Sequence, residues 1–361
     1  MAFNLETFFY DIFRPEEGEN VTIMYDFPHD HIKDNIDWKE RRLMAEQWRE
    51  KLNNIKSYKI NVMPLASYPA TGSNNADLPL KCHWGSQEIH IEEVIKESSI
   101  ILSMPEFSAT APLSYYALKS NKLRVGSMPH VAKFMEETGL SANYRQISNI
   151  GKELKVILDP AIGAEVEFST GHKCYFDLSK SNFYIDDGIL YPERAGGEYS
   201  VSNLPAGEVY CVPNENDDSK TNGELPQKIG NDIVVYCVQN NRIKEVRGES
   251  NEIKEIRKKF TSEPGIQNIA EFAIGINDKA KVTGNILEDE KAGFHWAYGR
   301  SDFLGGNVGP KNFTNQQNIV HTDIVYAKES PITCNKLEII FSDNKRLVLI
   351  DKGIVQINAK K

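Results

Sequence analysis

The strongest constraint on the fold is the alternation of strand-like and helix-like segments in the first 158 residues. Apolar, β-branched runs at Val21–Tyr25, Tyr58–Val62 and Ser99–Ser103 have the character of strands. Between the first two lies Asp37–Leu52, which has apolar residues at helical spacing. Strands separated by helices favour βαβ units, and right-handed crossovers place helices on both faces of a mostly parallel sheet. We therefore predict a three-layer α/β domain over residues 1–158.

The sequence pattern changes after Pro160. Short runs with alternating apolar residues follow, including Lys173–Leu178, Ile233–Val238 and Lys336–Phe341, and helical patterns such as Ser250–Phe260 become rare. This part predicts a strand-rich α+β domain over residues 159–361. The expected fold class is thus α/β, with an N-terminal parallel-sheet domain followed by a strand-rich domain.

Composition excludes several classes of function. The net charge of -9 and the pI of about 5.5 argue against nucleic acid or an anionic membrane as a partner. We find no apolar run near the roughly 18 residues of a membrane span and no N-terminal signal peptide. The 5 cysteines form no C-x-x-C pair and are expected to be reduced thiols in a cytoplasmic protein. No glycine-rich nucleotide-binding motif occurs.

The triplet His321-Thr322-Asp323 is the first candidate for a metal site. Residues i and i+2 of a strand point to the same face, so the imidazole and the carboxylate could bind one ion. These ligand types suit zinc, cobalt, manganese or iron. The triplet alone is weak evidence, because hydrogen bonds could satisfy both side chains without an ion.

Three glutamates and a second histidine extend this set. Glu271 lies in the apolar segment Ile269–Ile274, Glu290 shortly precedes His295, and Glu208 follows a tight turn into a strand. The simpler interpretation of each glutamate alone is a solvated carboxylate at a sheet edge or a turn. A metal site therefore depends on the whole set occurring together.

Taken in order, these motifs resemble those of the thermophilic metallo-aminopeptidases of the aminopeptidase T and aminopeptidase S type. The resemblance covers the second half of the chain, and the N-terminal α/β half is compatible with it. The matching motifs are Gly207-Glu208-Val209, Ala270-Glu271, Asp289-Glu290 followed by His295-Trp296-Ala297-Tyr298-Gly299, and His321-Thr322-Asp323.

The resemblance implies a site for two divalent ions, zinc, cobalt or manganese, and a homodimer that removes N-terminal residues from peptides. We therefore predict a divalent-metal-dependent hydrolase that cleaves an amide bond of a small peptide or amino-acid-like substrate. A metal-activated water would be the nucleophile. The residues on the family's metal-binding positions are Glu208, Glu271, Glu290, His295, His321 and Asp323.

One position departs from the family pattern. The family carries a tyrosine where this chain has Asp302. An ionised aspartate cannot donate the hydrogen bond that a tyrosine hydroxyl gives to an oxyanion. Asp302 could instead bind an ion, accept a substrate ammonium group or act as a base. Tyr298 and Arg300 are the nearby candidates for the donor role.

Two other functions fit parts of the pattern. Ring-cleaving dioxygenases that act on dihydroxypyridines look similar, but they hold one ferrous ion and have a histidine at the position of Glu271. The glutamate here favours the hydrolase, although glutamate, histidine and aspartate could also form a three-ligand iron site. A non-catalytic small-molecule binding protein is the third alternative. The retained carboxylates argue against it, because like charges repel when no metal is present.

Overall fold

The computed structural model describes residues 3–29, 31–197 and 199–356. Its α-helices in this part of the chain are α1 (Leu5–Phe13), α2 (Ile36–Asn53), α3 (Ile91–Glu97), α4 (Thr110–Leu118), α5 (Tyr144–Leu158), α6 (Asn251–Ser262) and α7 (Ile286–Asp289). Its strands are β1 (Asn20–Phe27), β2 (Asn61–Val62), β3 (Ala66–Pro69), β4 (Lys81–Trp84), β5 (Gln87–His90), β6 (Ile100–Ser103), β7 (Arg124–Ser127), β8 (Ala161–Phe168), β9 (Lys173–Asp177), β10 (Tyr184–Asp186), β11 (Val201–Asn203), β12 (Glu208–Cys211), β13 (Asn222–Ile229), β14 (Asp232–Gln239), β15 (Arg242–Arg247), β16 (Ile269–Gly275), β17 (Phe294–Gly299), β18 (His321–Val325), β19 (Cys334–Phe341), β20 (Arg346–Asp351) and β21 (Ile354–Val355).

Backbone contacts divide the chain into two compact units. The first comprises the described residues up to Ser148 together with 186–207 and 278–280, and the second comprises 149–185, 208–277 and the described residues from Lys281 onward. The units interleave along the chain, whereas the sequence pattern suggested a single change after residue 158. The domain bounds 1–158 and 159–361 stay a prediction.

The first unit is built on a sheet whose centre is parallel. The strand order is β11-β7-β6-β1-β3-β4-β5, with β2 beside β1. Strands β2, β3 and β6 all run parallel to β1, and β7 runs parallel to β6 and β11, whereas β4 and β5 form an antiparallel edge. The predicted helix Asp37–Leu52 is α2. Its Trp38 and Trp48 are buried, and Trp38 donates through Nε1 to the Asp26 carboxylate at 2.9 Å.

The second unit contains two antiparallel sheets. One has the order β10-β12-β16-β17-β18, and the other has the order β15-β14-β13-β9-β8-β19-β20-β21. Aromatic side chains fill the space between these sheets. Phe176 of β9 lies 5.2 Å from Phe272 of β16 and 6.0 Å from Phe294 of β17, measured between ring centroids. This packing buries one face of the smaller sheet and leaves its other face for polar side chains.

The predicted fold class is confirmed: an α/β arrangement with a parallel-containing sheet accompanies antiparallel sheets in a strand-rich second part. Ile233–Val238 lies in β14, and Ser250–Phe260 comprises the N-cap Ser250 and most of α6, as the patterns indicated. The run Tyr58–Val62 forms a strand only at Asn61–Val62. Within the described ranges, no helix combines the length and the apolar character that crossing a membrane requires.

The contact between the two antiparallel sheets predicts a large stability effect. Phe176 is fully buried, so Phe176→Ala removes a ring and leaves a cavity. We expect the free energy of unfolding to fall by about 3–5 kcal/mol, measured by urea denaturation. The control Ile354→Ala, at a side chain that is 51% exposed, should change it by less than about 0.5 kcal/mol. Equal effects of the two substitutions would contradict this packing.

Candidate metal centre

One face of the five-stranded sheet collects most of the predicted ligands. In β18, His321 and Asp323 are two residues apart and therefore share a face. The cross-strand register places Glu271 of β16 and Asp323 both opposite Ala297 of β17. Directly paired residues of neighbouring strands point to the same side of a sheet. The residues on this face are Glu208, Glu271, His295, His321 and Asp323.

Small residues provide the space for these side chains. Each of the five pairs with glycine or alanine on a neighbouring strand: Glu208 with Gly275, His295 with Ala273, Glu271 and Asp323 with Ala297, and His321 with Gly299. A register shift between Ile269 and Glu271 marks a bulge in β16. Such a bulge changes the direction of the side chains that follow it.

A short 3-10 helix, Glu290–Ala292, brings a further carboxylate to the cluster. Its backbone lies against Gly275, whose N–H donates to the carbonyl of Gly293 at 2.8 Å. A Cβ atom at position 275 would lie 2.5 Å from the carbonyl oxygen of Glu290. Glycine at this position therefore permits the close approach that delivers Glu290.

The donor atoms lie within metal-ligand reach of one another. His321 Nε2 is 2.9 Å from Glu271 Oε2 and 3.4 Å from Asp323 Oδ1. His295 Nε2 is 3.3 Å from Glu208 Oε2 and 3.9 Å from Glu271 Oε1. Three groups have donor atoms within 4.8 Å of one another: Glu208 with Glu271 and His295, Glu271 with His321 and Asp323, and Glu290 with His295 and Asp323.

Backbone carbonyls orient both imidazoles. His321 Nδ1 lies 2.7 Å from the carbonyl oxygen of Arg300, and His295 Nδ1 lies 3.3 Å from that of Gly293. When Nδ1 carries the proton and donates to the carbonyl, the lone pair of Nε2 points into the cluster. Metal-binding histidines usually have such a partner on the second nitrogen.

Burial and mutual repulsion shift the pKa values of these groups. Burial opposes charge on His295, but the Glu208 and Glu271 carboxylates outweigh it and raise the His295 pKa to about 9. Burial also favours neutral Glu208, yet Lys291 and His295 hold its pKa at about 2. For Glu290, burial and the neighbouring carboxylates raise the pKa to about 8 in spite of Lys291. Protons thus compete with any cation for this site.

Two buried atoms test whether a divalent ion suits the cluster. Glu208 Oε2 and His295 Nε2 are buried and lie 3.3 Å apart without hydrogen-bond geometry, and neither has another hydrogen-bond partner among the described residues. Leaving such atoms unsatisfied costs about 1–3 kcal/mol each. Both atoms belong to the same group of three donors, and an ion held there would satisfy both. Carboxylate and imidazole donors suit zinc, cobalt, manganese or iron, so the residues fit a divalent metal.

Lys291 is the feature of the site that sequence reasoning missed. Its ammonium group is fully buried, 2.6 Å from Glu208 Oε1 and 2.7 Å from Glu290 Oε1. Lysine is almost never fully buried unless it is paired, so a lysine beside a glutamate normally indicates an exposed position. The only signal in the sequence is its place next to the predicted ligand Glu290.

The predicted catalytic residues Tyr298, Arg300 and Asp302 lie at the edge of the ligand cluster or outside it. Tyr298 is on the opposite face of β17 from His295, and its ring packs 5.0 Å from that of Phe260. The guanidinium of Arg300 donates to Asp302 at 2.5 Å. The next residue, Phe303, places its ring 5.2 Å from that of His321. The segment 300–303 therefore borders the cluster, whereas the Tyr298 ring does not reach it.

Comparison with known proteins identifies the fold. No protein-family model and no curated protein matches the sequence. The solved structures that match include 2,5-dihydroxypyridine dioxygenase from Pseudomonas putida, with a TM-score of 0.64, 15% identity and coverage of 97% of this chain and 96% of that chain. They also include wild-type AmpT from Thermus thermophilus, with a TM-score of 0.57, 15% identity and coverage of 98% of each chain. The resemblance to both groups is thus confirmed at the level of the fold.

The raised pKa of His295 predicts that metal affinity depends on pH. An ion requires neutral imidazole, and below about pH 9 the proton on His295 competes with it. We expect the affinity for Zn²⁺ to increase from pH 6 to 9, as measured by calorimetric titration of chelator-treated protein. In His295→Gln this dependence should weaken. An affinity that stays constant across this range would contradict the assignment.

Gly275 offers a test of the backbone contact. Gly275→Ala would force Cβ against the backbone of Glu290 and Lys291, so we expect reduced metal content by elemental analysis of the folded protein. The control Gly197→Ala places Cβ no closer than 3.4 Å to its nearest neighbour and should retain the wild-type content. Unchanged metal content in Gly275→Ala would show that the position of Glu290 does not depend on this glycine.

Proposed function

We propose that this protein is a divalent-metal-dependent hydrolase, similar to aminopeptidases, that cleaves an amide bond of a small peptide or amino-acid-like substrate. The observation that supports this most directly is the convergence of three glutamates, an aspartate and two histidines in one cluster. Glu271 belongs to two of the three donor groups, with Oε2 near His321 and Oε1 toward His295. One carboxylate between two donor groups suits a pair of ions.

A bound divalent ion would polarise the substrate carbonyl and lower the pKa of a water molecule. The chain's own residues prepare the site for that chemistry. The Arg300 carbonyl accepts a hydrogen bond from Nδ1 of His321 and so keeps the proton on that nitrogen. The lone pair of Nε2 is then available to bind a metal ion. Burial of His295 and Glu208 excludes bulk water, which strengthens the electrostatic interactions among them.

The segment 300–303 is the proposed contact with substrate. Asp302 is paired with Arg300, and its side chain is 35% exposed. The Asp302 carboxylate could accept the ammonium group of a peptide N-terminus, and the Arg300 guanidinium could donate to a carbonyl or carboxylate oxygen. The Arg300 guanidinium donates to both oxygens of Asp302, at 2.5 and 3.3 Å, which makes Asp302 a weaker candidate for a base.

The proposal extends to partners and location. We propose a cytoplasmic homodimer that binds neither nucleic acid nor membrane. The net charge of -9 supports the exclusion of polyanionic partners. The described cysteines are free thiols, as expected in a reducing compartment.

A ring-cleaving dioxygenase with one ferrous ion is the second candidate. The observation in its favour is that Glu271, His321 and Asp323 form a compact three-donor group. Iron enzymes that activate oxygen commonly use three protein ligands and leave positions open, although their usual set has two histidines and one carboxylate. The two candidates differ in the metal they need and in whether they consume oxygen.

Removal of single ligands tests the hydrolase. We expect His321→Ala and Asp323→Ala each to lower the metal content, and to lower the hydrolysis of a panel of dipeptides and aminoacyl anilides by more than about 100-fold, which exceeds the roughly 10–100-fold loss caused by removing a residue that only orients a ligand. The measurements are elemental analysis and a chromogenic assay in the presence of zinc, cobalt or manganese. The control His172→Ala removes a histidine of the turn beside β9 and should leave both quantities unchanged.

The same samples separate the two candidates. Oxygen uptake with a dihydroxypyridine by iron-loaded protein, without cleavage of any peptide, would favour the dioxygenase. Full hydrolytic activity after chelation would exclude a metal-dependent hydrolase.

A further inference from the structure

Lys291 contacts only one of the two donor groups that share Glu271. Its ammonium group contacts Glu208 and Glu290, at 2.6 and 2.7 Å. Glu208 belongs to the donor group with Glu271 and His295, which we call subsite A. The other group that contains Glu271, formed with His321 and Asp323, is subsite B. One lysine contact therefore falls on a ligand of subsite A, and the other falls on Glu290, which shares the third donor group with His295 and Asp323.

We propose that the two subsites bind divalent ions with unequal affinity, and that Lys291 makes subsite A the weaker, exchangeable one. This inference rests on the proposed metal-dependent function. An ammonium group hydrogen-bonded to Glu208 Oε1 withdraws charge from the carboxylate whose other oxygen must bind the ion. It also repels an incoming dication, and this repulsion is weakly screened because Lys291 is fully buried.

The imidazoles support the same order of affinities. In subsite B, the His321 ring is held by the Arg300 carbonyl at 2.7 Å, and Nε2 already lies 2.9 Å from Glu271. In subsite A, the His295 ring is held more loosely, at 3.3 Å from the Gly293 carbonyl. Its Nε2 lies 3.3 Å from Glu208 Oε2 without forming a hydrogen bond. Subsite B is thus better organised before an ion arrives, and organisation in advance favours binding.

Lys291 also offsets the repulsion between two carboxylates of the cluster. The ammonium group pairs with two buried carboxylates that would otherwise repel each other. Its role is to position and neutralise ligands, because a fully buried side chain does not contact substrate from solvent. The Lys291 ammonium group is therefore a fixed positive charge beside subsite A.

Titration of chelator-treated full-length protein with Co²⁺ tests the proposal, read by calorimetry and by the visible spectrum of the bound ion. We expect two binding events with dissociation constants that differ by at least about tenfold. Glu208→Gln should weaken only the second event, and Asp323→Ala should remove the first. Equal constants in the wild type, or loss of the tighter event in Glu208→Gln, would overturn the proposal.

Variants of Lys291 test the cause. Lys291→Met removes the cation and should tighten the second event, whereas Lys291→Arg keeps the charge and should leave the two constants apart. Lys336→Met, at an exposed lysine paired with Glu338, is the matched control and should change neither constant. An unchanged second constant in a folded Lys291→Met protein would refute the role of Lys291. Should that variant fail to fold, the wild-type and Glu208→Gln titrations decide the order of affinities.

The result also separates this inference from the proposed function. Absence of any Co²⁺ binding would reject both. Two events of equal affinity together with peptide hydrolysis would reject the inequality and retain the hydrolase. Unequal events that depend on Lys291, without hydrolysis of any tested peptide, would retain the inequality and reject the hydrolase.

Discussion

The burial of like-charged carboxylates on and beside one sheet face is the constraint on which the second unit depends. Glu208, Glu271, Glu290 and Asp323 lie close enough to share ligand groups, and isolated burial of such charges is costly. The structure offsets this cost with two imidazoles and with the Lys291 ammonium group. A divalent ion would complete the compensation, because buried donor atoms of Glu208 and His295 lack hydrogen bonds.

The two faces of the five-stranded sheet differ in polarity: one packs apolar rings, and the other holds the polar side chains of the cluster. On one face, Phe272 and Phe294 pack against Phe176 of the neighbouring sheet and fix the strands in place. On the other face, glycine and alanine at the paired positions leave room for long polar side chains. A rigid apolar side is what allows the polar side to hold donor atoms at fixed distances, since sites on strands are positioned more accurately than sites on loops.

The same fold carries different chemistry in its structural neighbours, one named as a dioxygenase and the other as AmpT. A shared fold at 15% identity does not choose between them. The choice depends on the donor atoms of the site and on the charge around them. Here Glu271 stands between the two donor groups and Lys291 stands beside one of them, so the number and strength of bound ions depend on these two residues.

The sequence by itself determined the fold class and the candidate ligands. The alternation of segments indicated the parallel sheet, and the period of two in His321-Thr322-Asp323 placed both ligands on one face, because side-chain direction in a strand is a local property. Only the tertiary structure decided which distant residues meet. The register of β12, β16 and β17 brings Glu208, Glu271 and His295 together, and neither that register nor the burial of Lys291 follows from local pattern. For Tyr298, the sequence position suggested a role in the site. In the structure, strand alternation directs its ring to the opposite face of the sheet, where it packs in the aromatic core.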